Sequence, residues 1–273
     1  MLIGNRVFDT RNHTYIMGIL NATPDSFSDG GAFQVIDKAL YRVQQMVVEG
    51  AHVVDIGGES TRPGHQQIEV AEEIERIVPI IERVVKEFDI PISVDTYKSE
   101  VAKSALAAGA CMVNDIWGLT YDSRMVDVIR EANASVCLMH NRHSITEQEH
   151  EKELFLANVI KVLQESIQRA EQGGIEKDKI MIDPGVGFGK TYQQNLTIVG
   201  SLSRFTELSY PVLLGTSRKS VIGLTLDLPV TEREEGTLVT TVMAVMNGCS
   251  FVRVHEVEKN RRAIAMTQAI LRT

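Results

Sequence analysis

Cysteine, basic charge and long apolar runs are all scarce in this chain, and each scarcity removes a class of function. The 3 cysteines among 273 residues, Cys111, Cys137 and Cys249, never fall at Cys-x-x-Cys spacing, so neither a disulfide framework nor a structural zinc site is expected. Each lies in or beside an apolar run, which suits buried thiols in a reducing compartment. Lys and Arg number 28 against 36 Asp and Glu, a net charge of -8; an acidic surface has the wrong sign for nucleic acid. A local cationic pocket stays compatible with that balance. No apolar run reaches membrane-spanning length, and no basic segment precedes an apolar core at the N-terminus. The expectation is one soluble, cytoplasmic domain over residues 1–273, with no nucleic-acid or membrane partner.

What the chain does have is repetition. Short apolar runs end in a polar or glycine residue and pass into polar loops, at Leu20-Asn21, Val54-Asp55, Val94-Asp95, Asn114-Asp115, Met139-His140, Ile182-Asp183, Leu214-Gly215 and Val254-His255. Continuous apolar runs mark strands covered on both faces, as in parallel sheets. Between them, apolar residues recur at helical spacing, first at Val35, Ile36, Ala39, Leu40, Val43, Met46 and Val47, then at Ile74, Ile77, Val78, Ile81, Val84, Val85 and Phe88. Glu72, Glu73, Glu75 and Arg76 are expected on the wet face of the second segment. Further helices are expected at Lys98 to Ala108, Asp122 to Ala132, Glu149 to Glu171, Leu238 to Met246 and Val257 to Leu271, with an extended connection from Leu226 to Glu234. Eight such units, in a chain near the roughly 250 residues of an eightfold barrel, predict an α/β TIM (β/α)8 barrel over an open doubly wound sheet. A hairpin about Gly4-Asn5, with Leu2, Ile3, Val7 and Phe8 on its arms, would cap the closed end.

In such a barrel the C-terminal ends of the strands share one mouth. Asp95, Asn114 and Asp183 together bring acceptors and an amide there, a set suited to a flat heterocycle with adjacent N–H donors and a carbonyl. The run G-T-S-R-K-S from Gly215 places Ser217, Arg218, Lys219 and Ser220 at a helix start after the seventh strand, where anions bind. Arg253 and His255 alternate along the last strand and so share a face; with Asn21 and Arg62 they could cradle a multiply charged phosphate. The run D-P-G-V-G-F-G-K-T from Asp183 is no phosphate loop, since three residues rather than four separate Gly185 from the Gly189-Lys190 pair. Its glycines would let backbone approach a flat ligand, with Phe188 as a stacking ring.

The segments M-G-I-L-N-A-T-P-D-S-F-S-D-G-G from Met17, V-D-I-G-G-E-S-T-R-P-G from Val54, I-S-V-D-T from Ile92, V-N-D-I from Val113, I-D-P-G-V-G-F-G-K from Ile182, G-T-S-R-K-S from Gly215 and V-R-V-H from Val252 follow one another along nearly the whole chain. Together they resemble the dihydropteroate synthase family of pterin-binding TIM barrels. The resemblance implies condensation of 6-hydroxymethyl-7,8-dihydropterin pyrophosphate with para-aminobenzoate, using Mg2+, by a homodimer. Val242, Met246, Ile264 and Met266 are candidate dimer contacts, with burial against the barrel the favoured alternative for each. Carried over, Asp95, Asn114, Asp183, Lys219 and Met139 would form the pterin pocket, with Arg253 across the ring. Asn21, Arg62, Arg253 and His255 would meet the pyrophosphate, Asn21 as the Mg2+ ligand. Thr61, Arg62, Pro63, Phe188, Lys219 and Ser220 would frame para-aminobenzoate. Catalysis would fall to Arg253, His255, Lys219 and Asp95. The loops 21–31 and 58–68 are expected to order over the second substrate. After His140 the chain reads N-R-H-S-I-T-E where many members have a Gly- and Pro-containing stretch, which leaves Arg142 and His143 as exposed loop residues. A pterin-dependent methyltransferase would need no pyrophosphate group, and a non-catalytic pterin-binding paralogue would have lost Arg253, His255 or Lys219; the residues present argue against both.

Overall fold

The computed structural model describes residues 1–22, 32–60, 67–142 and 151–273. An antiparallel hairpin, β1 (Leu2–Ile3) and β2 (Arg6–Val7), precedes a ring of strands, β3 (Tyr15–Asn21), β4 (Val53–Gly57), β5 (Ile92–Asp95), β6 (Met112–Asp115), β7 (Ser135–Met139), β8 (Ile180–Asp183), β9 (Leu213–Leu214) and β10 (Phe251–Val254). The helices between them are α1 (Ala32–Glu49), α2 (Val70–Glu87), α3 (Ser99–Ala107), α4 (Met125–Glu131), α5 (Lys152–Gln172), α6 (Tyr192–Val199), α7 (Ser203–Thr206), α8 (Ser220–Leu226), α9 (Glu234–Met246) and α10 (Val257–Leu271). Ring order is β8-β7-β6-β5-β4-β3-β10-β9, all parallel. A bridge between Ile182 and Val212, with the Ile182 amide donating to the Pro211 carbonyl at 2.9 Å, closes the ring. It is a TIM barrel.

The strand pleat, with its period of two, sorts side chains into two cores. Ile16, Leu20, Val54, Ile56, Val94, Val113, Val136, Leu138, Ile182 and Val252 point outward and pack under the helices. Met17, Val53, Met112, Cys137, Met181, Leu213 and Phe251 point inward and join Ile3 and Phe8 of the hairpin segment in an apolar floor. Each such side chain contributes roughly 1.5–3 kcal/mol on burial. The hairpin therefore caps the closed end, as its position in the sequence suggests. Two residues above this floor the inward positions turn polar, pairing Val53 with Asp55, Met112 with Asn114, Met181 with Asp183 and Phe251 with Arg253.

Several expectations are corrected. Glu73 is buried rather than wet, because the first turn of α2 packs against the end of β4 and Lys98 reaches its carboxylate. Helix α9 starts at Glu234, four positions before Leu238, and a single 3-10 turn at Val230–Glu232 occupies the supposed extended connection. Helix α6 was not expected; its signal is the capping box of Thr191 and Gln194, two side chains each satisfying the other's backbone N–H. All three cysteines are free, Cys137 and Cys249 buried and Cys111 half-buried. Among the described residues no helix is long and apolar enough to cross a membrane.

Candidate active site

Asp55 on β4 and Asp95 on β5 share the guanidinium of Arg253 on β10. Nε donates to Asp55 Oδ2 and Nη2 to Asp95 Oδ2, both at 2.6 Å, and Asn114 Nδ2 donates to the same Asp55 oxygen at 3.1 Å. Two carboxylates thus meet one cation. Their other oxygens, Asp55 Oδ1 and Asp95 Oδ1, are buried without a hydrogen-bond partner. Such an orphan acceptor costs about 1–3 kcal/mol, more for a charged group, and ligand N–H donors would remove that cost. Burial, opposed by Arg253 and reinforced by Asp55, pushes the Asp95 carboxyl up to about 7.

The other half of the cluster gathers about Gly215. A Cβ there would lie 3.6 Å from Asp183 Oδ2, 3.8 Å from Lys219 Nζ and 3.9 Å from Arg253 Cβ. Three side chains from separate elements therefore converge on one point. Asp183 Oδ1 accepts from the Gly185 amide at 2.7 Å, which fixes the carboxylate plane. The Lys219 ammonium donates to the Val186 carbonyl and lies 4.7 Å from the Phe188 ring centre. Burial pulls Lys219 down to about 8, against the attraction of Asp183; burial likewise raises Asp183, against Lys219. Met139, Tyr97 and Ile116 form a buried apolar patch on which half-buried Trp117 and Phe188 pack.

His255 follows β10 immediately, its Nδ1 2.9 Å from Ser217 Oγ, which also accepts the His255 amide at 3.2 Å. Ser217 is thus a partner of His255, while Arg218 makes an ion pair with Glu256 at 2.5 Å. Ser220 is exposed at the first position of α8, a helix of 7 residues. Asn21 ends β3, half-buried, opposite Gly57. Arg142 is no exposed loop residue. Its Nε donates to the Gly189 carbonyl at 2.7 Å and Nη2 to Gln194 Oε1 at 2.8 Å. Lys190 donates to the carbonyls of Gly185, Phe188 and His140 at 2.7, 3.0 and 3.2 Å, so these two cations brace the loop that carries Phe188. Thr61, Arg62, Pro63 and His143 lie outside the described residues, as do most of the loops expected to order over substrate. Asp55, Tyr97, Ile116 and Lys190 were not singled out from sequence as site residues; Ser217 was, as part of an anion site, but not as the partner of His255. The signal for Asp55 was present: an acid two places after Val53 in a strand otherwise wholly apolar or glycine. Among the described residues no three or more His, Cys, Asp or Glu side chains are grouped to hold a metal alone.

The pterin binding enzyme family matches residues 17–255, a span that runs from the first barrel strand to His255. A dihydropteroate synthase of Clostridium beijerinckii is 52% identical over 273 residues, covering 100% of both chains. The chain belongs to the dihydropteroate synthase family. Another member, from Bacillus subtilis, is 48% identical over 96% of this chain and 90% of its own. Solved dihydropteroate synthase structures superpose throughout. That from Clostridium difficile, in the presence of pteroic acid, has a TM-score of 0.93 at 47% identity over 98% of this chain and 100% of that one. That from Xanthomonas albilineans, with 4-aminobenzoic acid, has 0.92 at 38% over 99% and 97%.

Proposed function

We propose that the chain condenses 6-hydroxymethyl-7,8-dihydropterin pyrophosphate with para-aminobenzoate, releasing pyrophosphate and 7,8-dihydropteroate. The observation that carries this reading is the convergence of Asp183, Lys219 and Arg253 about Gly215, beside two buried carboxylate oxygens that lack partners. A pterin is flat and has neighbouring N–H donors and a ring carbonyl. Asp95 and Asp183 accept from the donors, Asn114 and Lys219 serve the remaining edge, and Met139 and Ile116 supply apolar cover. Arg253 keeps Nη1 without a bond among the described residues, free to meet the ring face or the diphosphate.

The aryl amine is its own nucleophile. Its lone pair forms the C–N bond at the pterin methylene, the C–O bond breaks with its electrons leaving on pyrophosphate, and the surplus amine proton passes to solvent. What needs stabilising is charge. Negative charge growing on the leaving group meets Arg253, Arg62 and His255, the last oriented by Ser217; positive character on the methylene spreads into a ring held by Asp95 and Asp183, which makes the substitution SN1-like. Phe188, Lys219 and Ser220, with Thr61, Arg62 and Pro63, frame the amine's benzoate. The donor set fits Mg2+: Asn21 brings one hard amide oxygen and no acidic cage surrounds it among the described residues, which suits an ion that keeps waters and takes its other ligands from phosphate. When bound, Mg2+ neutralises charge on the leaving group. A cytoplasmic homodimer belongs to the same reading, supported by exposed Met246 and Met266 on α9 and α10, whereas Ile264 is buried.

Pyrophosphate release, measured with both substrates and Mg2+ and then with each substrate omitted, tests the reading. Release is expected only from the complete mixture. Pterin binding without release would make the protein a pterin binder with no synthase chemistry.

A further inference from the structure

Among the buried acids, Asp115 at the end of β6 takes no part in the lumen chemistry. The pleat turns Asn114 inward and Asp115 to the opposite face, where it is only 1% exposed. Both of its carboxylate oxygens are committed. Oδ1 accepts the Trp117 amide and Oδ2 the Leu119 amide, each at 2.8 Å. The Gly118 amide donates to the Asp115 carbonyl at 3.1 Å. One side chain therefore folds residues 115–119 into a tight turn.

The backbone of that turn departs from what its residues prefer. Buried Leu119 has φ 67°, a left-handed conformation rare for leucine, and Gly118 has φ 54°. A Cβ on Gly118 would stand 3.0 Å from the Met139 carbonyl, so the turn lies against the end of β7. Backbone in such regions persists only where its surroundings over-determine it; the two bonds to the Asp115 carboxylate and the contact with β7 do so here. What the turn carries is a wall of the site: Ile116, buried with Met139 and Tyr97, and half-buried Trp117 packed on the same patch.

We propose that Asp115 is a positioning residue for the pterin, acting through Ile116 and Trp117. Its carboxylate sets the turn, the turn sets the apolar wall, and the wall sets how the ring seats beside Asp95, Asn114 and Asp183. The para-aminobenzoate side depends on it less, because Phe188 belongs to a separate loop that Lys190 and Arg142 brace. The inference rests on the synthase reading and gives a role to an acid which that reading leaves unused.

Trp117 is the only tryptophan of the chain, so intrinsic fluorescence reports on this wall directly. The test compares wild type with Asp115→Ala, which removes both acceptors, and Asp115→Asn, which keeps one. Calorimetry with the dihydropterin pyrophosphate and Mg2+ gives pterin affinity, and steady-state kinetics at saturating dihydropterin pyrophosphate give KM for para-aminobenzoate. Asp115→Ala is expected to shift the Trp117 emission, to weaken pterin binding roughly tenfold or more, and to leave KM for para-aminobenzoate within about twofold. Asp115→Asn is expected to show the same split at about threefold, and carries the test alone should Asp115→Ala fail to fold. Unchanged pterin affinity, an unmoved Trp117 emission, or an equal rise in KM for para-aminobenzoate would overturn the proposal. A wild-type chain that binds no dihydropterin pyrophosphate would instead overturn the synthase reading beneath it.

Discussion

Asp95 shows how one side chain can be legible in sequence while its electrostatics are not. An acid at the end of an apolar strand announces a mouth residue, but nothing local to I-S-V-D-T tells that Asp55 and Arg253 will share its space. Its folded pKa of about 7 lies above the ordinary 3.8 because burial disfavours the charge. Between those values the folded chain holds a proton that the unfolded chain has released. Its contribution to stability is therefore full below about pH 4 and is lost as pH rises through about 7. Replacing Asp95 by Asn removes that titration and leaves Arg253 paired with Asp55. The difference in unfolding free energy between Asp95→Asn and wild type, from urea titrations, is expected to move in the variant's favour, by about 2 kcal/mol, from about pH 5 to about pH 8. A difference that stays constant over that interval would contradict the assignment. Asp183, Asn114 and Arg253 were equally legible, because each is a polar residue within a short apolar strand, and Lys219 because it stands at the helix start in the loop after one. Ser217 was read only as part of an anion site, and its pairing with His255 appears in the fold alone; Tyr97 was not legible, since a tyrosine has many reasons to lie near a strand end and only its packing with Met139 and Ile116 reveals a purpose.

Among the elements, the loop from Asp183 to Lys190 carries the most information per residue. Its glycines suggested close backbone approach to a ligand, and the structure gives part of the reason as approach to the protein itself. Gly185 has φ 74° and a Cβ there would overlap the His140 carbonyl, an unyielding backbone atom; Gly187 has φ 89°, but its Cβ would meet only the flexible Lys219 Cδ at 3.2 Å. Gly185→Ala is thus expected to lower kcat/KM far more than Gly187→Ala, by about 100-fold against about 10-fold, with circular dichroism unchanged for the milder variant. Equal losses would show that backbone strain, not the clash, decides. The long helices α1, α2, α5 and α10 were readable from their apolar stripes, α10 to its end residues. Helix α6 escaped because it is short and its buried face includes Gln194 and Asn195. In α9, Gly236 interrupts the helical stripe; in the fold it lets Ile222 of α8 pack close.

For the molecule as a whole, the barrel separates what keeps it folded from what it does. The floor of Ile3, Phe8, Met17, Val53, Met112 and Phe251 is apolar and lies below the inward polar layer that would meet substrate. Ile3→Ala removes a fully buried side chain from that plug and is expected to cost about 2–5 kcal/mol of stability. At a temperature where the variant remains folded, kcat should change by less than twofold. A large fall in kcat without a fall in unfolding midpoint would mean that the two ends of the barrel are coupled. Eight strand-helix units made the closed ring foreseeable; the ring's thin seam at Ile182 and Val212, two residues that look like any other strand members, did not follow from their sequence.

Arg253 reaches back 198 residues to Asp55 and 158 residues to Asp95. During synthesis on the ribosome both acids emerge long before the guanidinium that pairs with each of them. A chain ending ahead of β10 would hold two acids without that guanidinium, which favours their staying hydrated or taking up a proton. Docking of the final strand supplies the missing partner, so ring closure and the birth of a competent groove become the same event.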